Sequence, residues 1–218
     1  MSHRIAVIPG DNIGPEVVRE GLKVLRTLEG LGFGPFQLVE FPWGAGYYLE
    51  TGLAMPEDGI ETLKGFDAIL FGAHGDPARV PESVSSQGLM HRIRKSFDLY
   101  VNLRPIRLLP GVLSPLQERK EIDLVVVREN SEGEYSGIGG RLHVGTPEEL
   151  AVQATVITRK GAERVMRFAF ELARKRNGKK RVTAATKSNA LSHSLPLWDE
   201  VFAEVARDYP DVEANRFH

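Results

Sequence analysis

Val125-Val126-Val127-Arg128-Glu129-Asn130-Ser131-Glu132-Gly133-Glu134-Tyr135 decides how the rest of this chain is read. Three consecutive β-branched residues predict a strand, and the strand hands over to an arginine. A loop broken by Gly133 then delivers a tyrosine. In open α/β sheets ligands bind just outside the carboxyl ends of strands, so this reading puts Arg128 where chemistry usually happens. Its planar, permanently charged fork suits a carboxylate or phosphate, and a nearby tyrosine hydroxyl can pass a proton. The arrangement is enzyme-like.

Outward from this stretch, apolar β runs alternate with helical periodicity. Upstream, Ile5 to Ile8 is a short buried strand broken by Pro9-Gly10-Asp11-Asn12. Pro15 suits a first helical turn, and Val17, Val18, Gly21, Leu22, Leu25 and Leu28 mark an inner face. Phe36 to Phe41 predicts a second strand, Glu57 to Lys64 a short helix, and Asp67 to Phe71 a third strand. That third strand ends in the loop Gly72-Ala73-His74-Gly75-Asp76-Pro77. Ser83 to Lys95 is expected to be helical, and Leu99 to Leu109 extended but interrupted by Pro105. Ile122 to Arg128 is the strand of the opening, followed by a polar loop rich in Gly and Glu.

Downstream, Val152 to Thr158 alternates as a strand would. Arg159 to Arg176 predicts an amphipathic helix with Val165, Met166, Phe168, Ala169, Leu172 and Ala173 inward, ended by Asn177-Gly178. Val182 to Thr186 is a strand, Leu197 to Ala206 a helix, and Asp211 to His218 the start of another strand. The domain boundary is expected near Arg104-Pro105, giving an α/β unit over 1–104 and a second over 105–218.

Composition excludes several classes of function. With 218 residues and a net charge of −1, the chain can bury a sizeable core and carries no basic block to suggest nucleic acid or an anionic membrane. No apolar stretch reaches membrane-spanning length, and Ser2-His3-Arg4 leads straight into a strand and not into a signal peptide. The absence of cysteine removes disulfides, thiolate catalysis and cysteine metal sites, and fits a cytoplasmic protein.

Asp11, His74, Arg128 and Lys187 stand at or just beyond strand ends. Arg94, Arg104 and Arg128 could converge on an anionic substrate, since arginine grips carboxylates with two parallel bonds. Spacing alone favours surface arginines or structural ion pairs. Lys187, in Thr186-Lys187-Ser188-Asn189, is readable as a base in a partly desolvated pocket or as an exposed lysine on a loop, and Tyr135 as an acid or as the cap of a core edge. Gly10-Asp11-Asn12-Ile13-Gly14 and Gly137-Ile138-Gly139-Gly140 both fail the dinucleotide fingerprint, and no phosphate-binding loop ends in Gly-Lys-Ser/Thr. His74, His91, His143 and His193 lack zinc-type pairing. Glu129, Glu132 and Glu134 form either a metal cluster or, the reading favoured here, a solvated acidic loop.

Taken together, Ile8-Pro9-Gly10-Asp11-Asn12-Ile13-Gly14-Pro15-Glu16-Val17, Arg94, Asn102-Leu103-Arg104-Pro105, Val127-Arg128-Glu129-Asn130, Tyr135 and Thr186-Lys187-Ser188-Asn189 resemble the isocitrate/isopropylmalate dehydrogenase family. The likeness spans the chain in order. Within the family, Arg128 to Ser136 and Ala184 to Asn189 look most like the tartrate/D-malate dehydrogenase branch. The resemblance implies an isopropylmalate dehydrogenase-like fold of two α/β domains, and NAD-dependent oxidative decarboxylation of a small 2-hydroxy dicarboxylate with Mg²⁺ or Mn²⁺, in a homodimer. It further implies that Arg94, Arg104 and Arg128 hold the substrate carboxylates, that Lys187 takes the hydroxyl proton in the neighbouring subunit's site, and that Tyr135 protonates the enolate. Ile13 and Ala73, with Asn189, would lie beside the cofactor.

Three departures from the family pattern shape the expectations. Asn12 stands where the family start Gly-Asp-Gly-Ile-Gly has glycine, which bears on the conformation of that loop. Ser85-Ser86-Gln87-Gly88-Leu89-Met90-His91 does not match the Thr-Leu-Trp run associated with D-malate enzymes, so tartrate, D-malate, homoisocitrate and isopropylmalate all stay open as substrates, as does NAD against NADP. Gln87 and His91, being polar, weigh against the branched apolar group of isopropylmalate. Family members also continue past residue 218 with the metal-binding aspartates, the adenosine loop and strands completing the first domain, so no metal ligand is expected within this sequence and little turnover from it alone. The alternative function is that of a short, catalytically silent homologue acting as a regulatory or binding subunit.

Overall fold

His3–Ile8 (β1) is the middle strand of a parallel sheet, and its last four residues are buried, as suits a strand covered on both faces. The structure, a computed structural model, describes residues 2–116, 121–176 and 178–218. It divides into two units, Met1–Phe97 and Asp98–His218.

In the first unit β1 leads through a tight loop into α1 (Gly14–Gly30), with Pro15 in the first turn where no N–H is needed. Val18, Leu22 and Leu25 pack on Ile5 and Val7. Val17, expected on the inner face, is exposed, because it lies a third of a turn away from the Gly14–Val18 stripe. β2 (Phe36–Glu40) pairs parallel with β1 on one side. α2 (Ala45–Thr51) and α3 (Gly59–Leu63) follow, and β3 (Ala68–Phe71) pairs parallel on the other side, giving the order β2-β1-β3.

α4 (Glu82–Ser85), a wide π-helical turn over Ser86–His91 and α5 (Arg92–Ser96) make one nearly continuous helical stretch where a plain helix was expected. Ala6 and Ile8 meet Trp43, Met55, Leu63, Leu89 and Ile93 in a core on the opposite side of the sheet from α1. α2 was not legible from sequence, because its start is capped from far away. Its N-cap, Gly44, has no side chain, and the Asp11 carboxylate accepts the N–H groups of Ala45 and Gly46 instead.

Gly10 adopts φ +75°, and a Cβ there would run into the carbonyl oxygen of Ala73. The close approach of the two loops therefore requires glycine. Gly10→Ala is expected to cost roughly 1–3 kcal/mol, read as a lowered thermal midpoint with an unchanged far-UV spectrum. A midpoint equal to that of the parent would mean that the loops separate freely.

In the second unit β4 (Val101–Arg107) pairs antiparallel with β5 (Asp123–Glu129) along its whole length. Pro105 does not interrupt β4. Among the described residues the sheet has two strands, which leaves β4 an edge where a residue without an N–H is tolerated. The boundary expected at Arg104-Pro105 falls inside this strand, whereas the chain divides between Phe97 and Asp98.

The Gly- and Glu-rich stretch contains a hairpin, β6 (Gly139–Leu142) with β7 (Leu150–Gln153), exposed at every position. The strand expected over Val152 to Thr158 thus starts earlier and stops at Gln153, because Val156 instead bridges Gly133 and Thr158 turns to cap a helix. That helix is α6 (Arg159–Arg176). Asn177, half of the expected helix-ending signal, lies outside the described residues. β8 (Arg181–Ala185), α7 (Ser194–Arg207) and β9 (Glu213–Phe217) complete the unit, β9 running parallel to β8. Val165, Met166 and Phe170 of α6 pack against Val201, Phe202 and Val205 of α7, and the Phe170 ring stacks on Tyr209 at 4.9 Å. No helix among the described residues is long and apolar enough to cross a membrane.

Candidate active site

At the carboxyl ends of β1 and β3 two loops are stitched together by Asp11. Its N–H donates to the Ala73 carbonyl at 2.8 Å, and its carboxylate accepts the N–H groups of Gly75 at 2.8 Å and Ala45 at 2.8 Å. Asp11, a candidate for chemistry by its position, is thus committed to shaping the loops. Asn12 takes φ +51°, in the left-handed region, and its Nδ2 donates to the Gly75 carbonyl at 2.8 Å. Asparagine tolerates that conformation, and its side chain adds a tie that a glycine there could not make.

The stitched loops present Ile13, which is 60% exposed, and Ala73, which is exposed as well. His74 packs edge-on to Phe71 at 5.5 Å. Burial lowers its proton affinity, and Arg94 adds to the lowering against opposition from Asp11 and Glu82, so His74 favours the neutral form. Arg94 projects from α5 of the same unit.

The second unit carries the other arginines. Asn102 faces Arg128 and Arg104 faces Val126 across the β4–β5 pair. Directly opposed residues share a face, as do alternate residues of one strand, so Arg104 and Arg128 lie on the same face, diagonal to one another. Val101 and Val127 on the other face pack toward the core. Arg128 lies near the carboxyl end of β5, and because β5 is antiparallel to β4 it is the cross-strand register that groups the arginines. The Arg128 guanidinium lies over the ring of Tyr135 at 5.2 Å, and Tyr135 is 46% exposed. Arg104 Nε donates to Asn102 Oδ1 at 3.2 Å, and Asn102 Nδ2 to Asn130 Oδ1 at 3.4 Å.

Glu129, Glu132 and Glu134 each have a hydrogen-bonding task in the loop. Glu129 accepts the N–H groups of Ser131 and Glu132, Glu132 accepts the Thr158 hydroxyl at 2.6 Å and its N–H at 2.8 Å, and Glu134 accepts the Thr155 hydroxyl at 2.9 Å. Thr158 in turn accepts the Gly161 N–H at 3.0 Å as the N-cap of α6, and the Glu132 carboxylate sits where the helix dipole favours negative charge. A Cβ on Gly161 would come 2.5 Å from that carboxylate, so the glycine makes room for it. Thr158 was missed as a site-building residue, and Glu132 and Asn130 were named without this bracing role; a threonine just ahead of the periodic run was the available signal. Among the described residues no group of three or more histidine, aspartate and glutamate side chains could hold a metal ion.

Lys187 and Asn189 follow β8, which pairs parallel with β9 apart from the β4–β5 pair, and both are exposed. The Lys187 carbonyl accepts the N–H groups of Ala190 and Leu191 at 2.9 Å, which fixes the turn that carries it. The structure thus puts Arg104 and Arg128 on one face with the Tyr135 ring against Arg128, and leaves Lys187 just past a strand of a separate sheet. An open hollow of about 410 Å³ between α7 and β9, where Asp199 pairs with Arg216 at 2.9 Å, is lined by none of the candidate residues.

The family model of isocitrate/isopropylmalate dehydrogenase matches residues 4–217. A probable tartrate dehydrogenase/decarboxylase of Bacillus subtilis (strain 168) is 51% identical over 98% of this chain and 60% of its own length. The D-malate dehydrogenase [decarboxylating] of Escherichia coli (strain K12) is 48% identical over 99% of this chain and 60% of its own. Among solved structures, isocitrate dehydrogenase from Methylococcus capsulatus is similar with a TM-score of 0.86 at 30% identity, covering 99% of this chain and 60% of that one. The chain spans about 60% of the length of the curated relatives it matches. With its two α/β units and these matches, the chain belongs to the isocitrate/isopropylmalate dehydrogenase family.

Proposed function

We propose that the full-length protein carrying this chain oxidatively decarboxylates a small 2-hydroxy dicarboxylate of the tartrate or D-malate type, with NAD as hydride acceptor. One observation carries the reading: Arg104 and Arg128 share a face of the β4–β5 sheet, with the Tyr135 ring against Arg128. Guanidinium groups on one surface with a phenol beside them suit a substrate that has two carboxylates and needs a proton delivered. The relatives named for tartrate and D-malate supply the substrate class.

In this reading Arg94, Arg104 and Arg128 grip the carboxylates. Lys187, acting in the site of a neighbouring subunit, accepts the hydroxyl proton as C2 gives up its hydrogen with both electrons. The carbon–carbon bond to one carboxylate then breaks, carbon dioxide leaves, and Tyr135 protonates the carbon that keeps the electron pair. Ile13 and Ala73 are exposed on the loops at the carboxyl ends of parallel strands, which fits the edge of a nicotinamide, and Asn189 is assigned to the same cofactor. When bound, NAD supplies the hydride acceptor. The described residues do not themselves form a metal set, and no step here runs through Mg²⁺ or Mn²⁺.

A homodimer follows from the role given to Lys187. Its exposure, and the exposed β6–β7 hairpin with Leu142, Leu150 and Val152, support that assembly.

The test is formation of NADH by the full-length protein with a divalent salt and, in turn, D-malate, the tartrate isomers, 3-isopropylmalate and isocitrate. Turnover of D-malate or tartrate, with isopropylmalate slower by about tenfold or more in kcat/KM, is the expected result. No reduction of NAD or NADP with any 2-hydroxy dicarboxylate would overturn the proposal.

A further inference from the structure

The geometry points to Arg164 as a positioning residue that holds the Arg128–Tyr135 loop by stapling the segments before β4 and after β5, at one end of the β4–β5 pair, to α6. Its guanidinium donates to Asp98 Oδ2 at 2.7 Å through Nη1 and to Ser131 Oγ at 2.8 Å through Nη2, and lies over the Tyr100 ring at 4.4 Å. Asp98 and Tyr100 lie three residues and one residue before β4, and Ser131 lies two residues after β5. One planar side chain therefore grips the chain on both sides of the sheet end.

The grip reaches the site residues through short links. Ser131 Oγ accepts from Arg164 and donates to the Glu129 carboxylate, which also takes the Ser131 N–H at 3.0 Å and the Glu132 N–H at 2.8 Å. Glu129 is the residue next to Arg128. On the other side the Tyr100 carbonyl accepts the Asn130 N–H at 3.0 Å, and the Leu99 carbonyl accepts Asn130 Nδ2 at 3.1 Å. Asn130 is buried and bonds to Asn102, the cross-strand partner of Arg128. Glu132 anchors the far end of the loop on the start of α6 through Thr158, so the segment leading to Tyr135 is tied to one rigid helix twice.

Asp98 takes φ +46°, a left-handed conformation that the bond to Arg164 helps hold. Lysine cannot reproduce the arrangement: a single ammonium cannot present parallel donors to Asp98 and Ser131 while lying flat on Tyr100.

The kinetic consequence rests on the function proposed above, whereas the ordering of the loop does not. The test uses Arg164→Met, Arg164→Lys and Ser131→Ala in the full-length protein, with amide hydrogen exchange and steady-state kinetics. Arg164→Met is expected to speed exchange at Ser131 and Glu132 by about tenfold or more while Phe170 and Ala184 in the core keep the parent rate, and to raise KM for D-malate about tenfold with KM for NAD unchanged. Arg164→Lys should recover part of both effects, and Ser131→Ala should show the same pattern in smaller size. Exchange over residues 129–135 equal to the parent in Arg164→Met, or in Ser131→Ala and Arg164→Lys if the first does not fold, would overturn the role. So would acceleration spread evenly over the core, which marks general destabilisation. If the parent itself turns over no 2-hydroxy dicarboxylate, the proposed function fails, and hydrogen exchange alone decides the role of Arg164.

Discussion

Lys187→Met in the full-length protein is expected to lower kcat on D-malate by about a hundred- to ten-thousandfold, the range a positioned acid–base group contributes, with little change in thermal stability. Lys187 is exposed on a turn held by its own backbone carbonyl, and no part of the described core rests on its side chain. A loss of activity with an unchanged melting profile therefore isolates chemistry from folding. Methionine keeps most of the length and removes the ammonium. If Lys187 serves the neighbouring subunit, mixing Lys187→Met with Arg128→Gln should regenerate activity in heterodimers, because one of the two sites then carries both wild-type residues. Unchanged turnover in Lys187→Met would remove the base from the mechanism.

Arg128→Gln is expected to lower kcat/KM for D-malate by about a hundredfold or more, near 3 kcal/mol, as is usual when one partner of a close, hydrogen-bonded charge pair is truncated. Glutamine can still donate a hydrogen bond but brings no charge and no fork. The change also removes the cation from the face of Tyr135. Most of the loss should fall on KM if Arg128 grips the substrate equally in ground and transition states, and on kcat as well if it orients the carboxylate that leaves. Equal kinetics for every dicarboxylate would mean that the β4–β5 face is not the binding surface.

Much of this architecture is written in local patterns. β1 shows itself as an uninterrupted apolar run, and α6 as an amphipathic helix whose bounds, Arg159–Arg176, coincide with the expected ones. What escaped depends on partners distant in sequence. α2 has a weak local start and owes its first turn to Asp11, 34 residues earlier. The β6–β7 hairpin buries none of its residues, so it leaves no inward-facing apolar pattern to find. Val17 was misplaced because neighbouring β-branched residues on a helix point in different directions and only Val18 falls on the buried stripe.

The site divides in the same way. Arg128 and Tyr135 are close in sequence, and their contact follows from one strand and one loop. The sharing of a face by Arg104 and Arg128 needs the antiparallel register of β4 on β5, which no local signal supplies. The glutamates of the loop looked like a solvated cluster, yet each is bound to a specific donor, Glu132 to a threonine 26 residues away. Side chains committed in this way are recognised only once the helix they cap is in place.

The most direct test of the account is the amount of carbon dioxide released per NADH formed when the full-length protein consumes D-malate with a divalent salt. Equal molar amounts are the predicted result, since oxidation at C2 and loss of a carboxylate belong to one reaction on one substrate. NADH formed with the carbon skeleton intact would make the protein a simple hydroxy-acid dehydrogenase, and formation of neither product from D-malate or tartrate would contradict the account at its root.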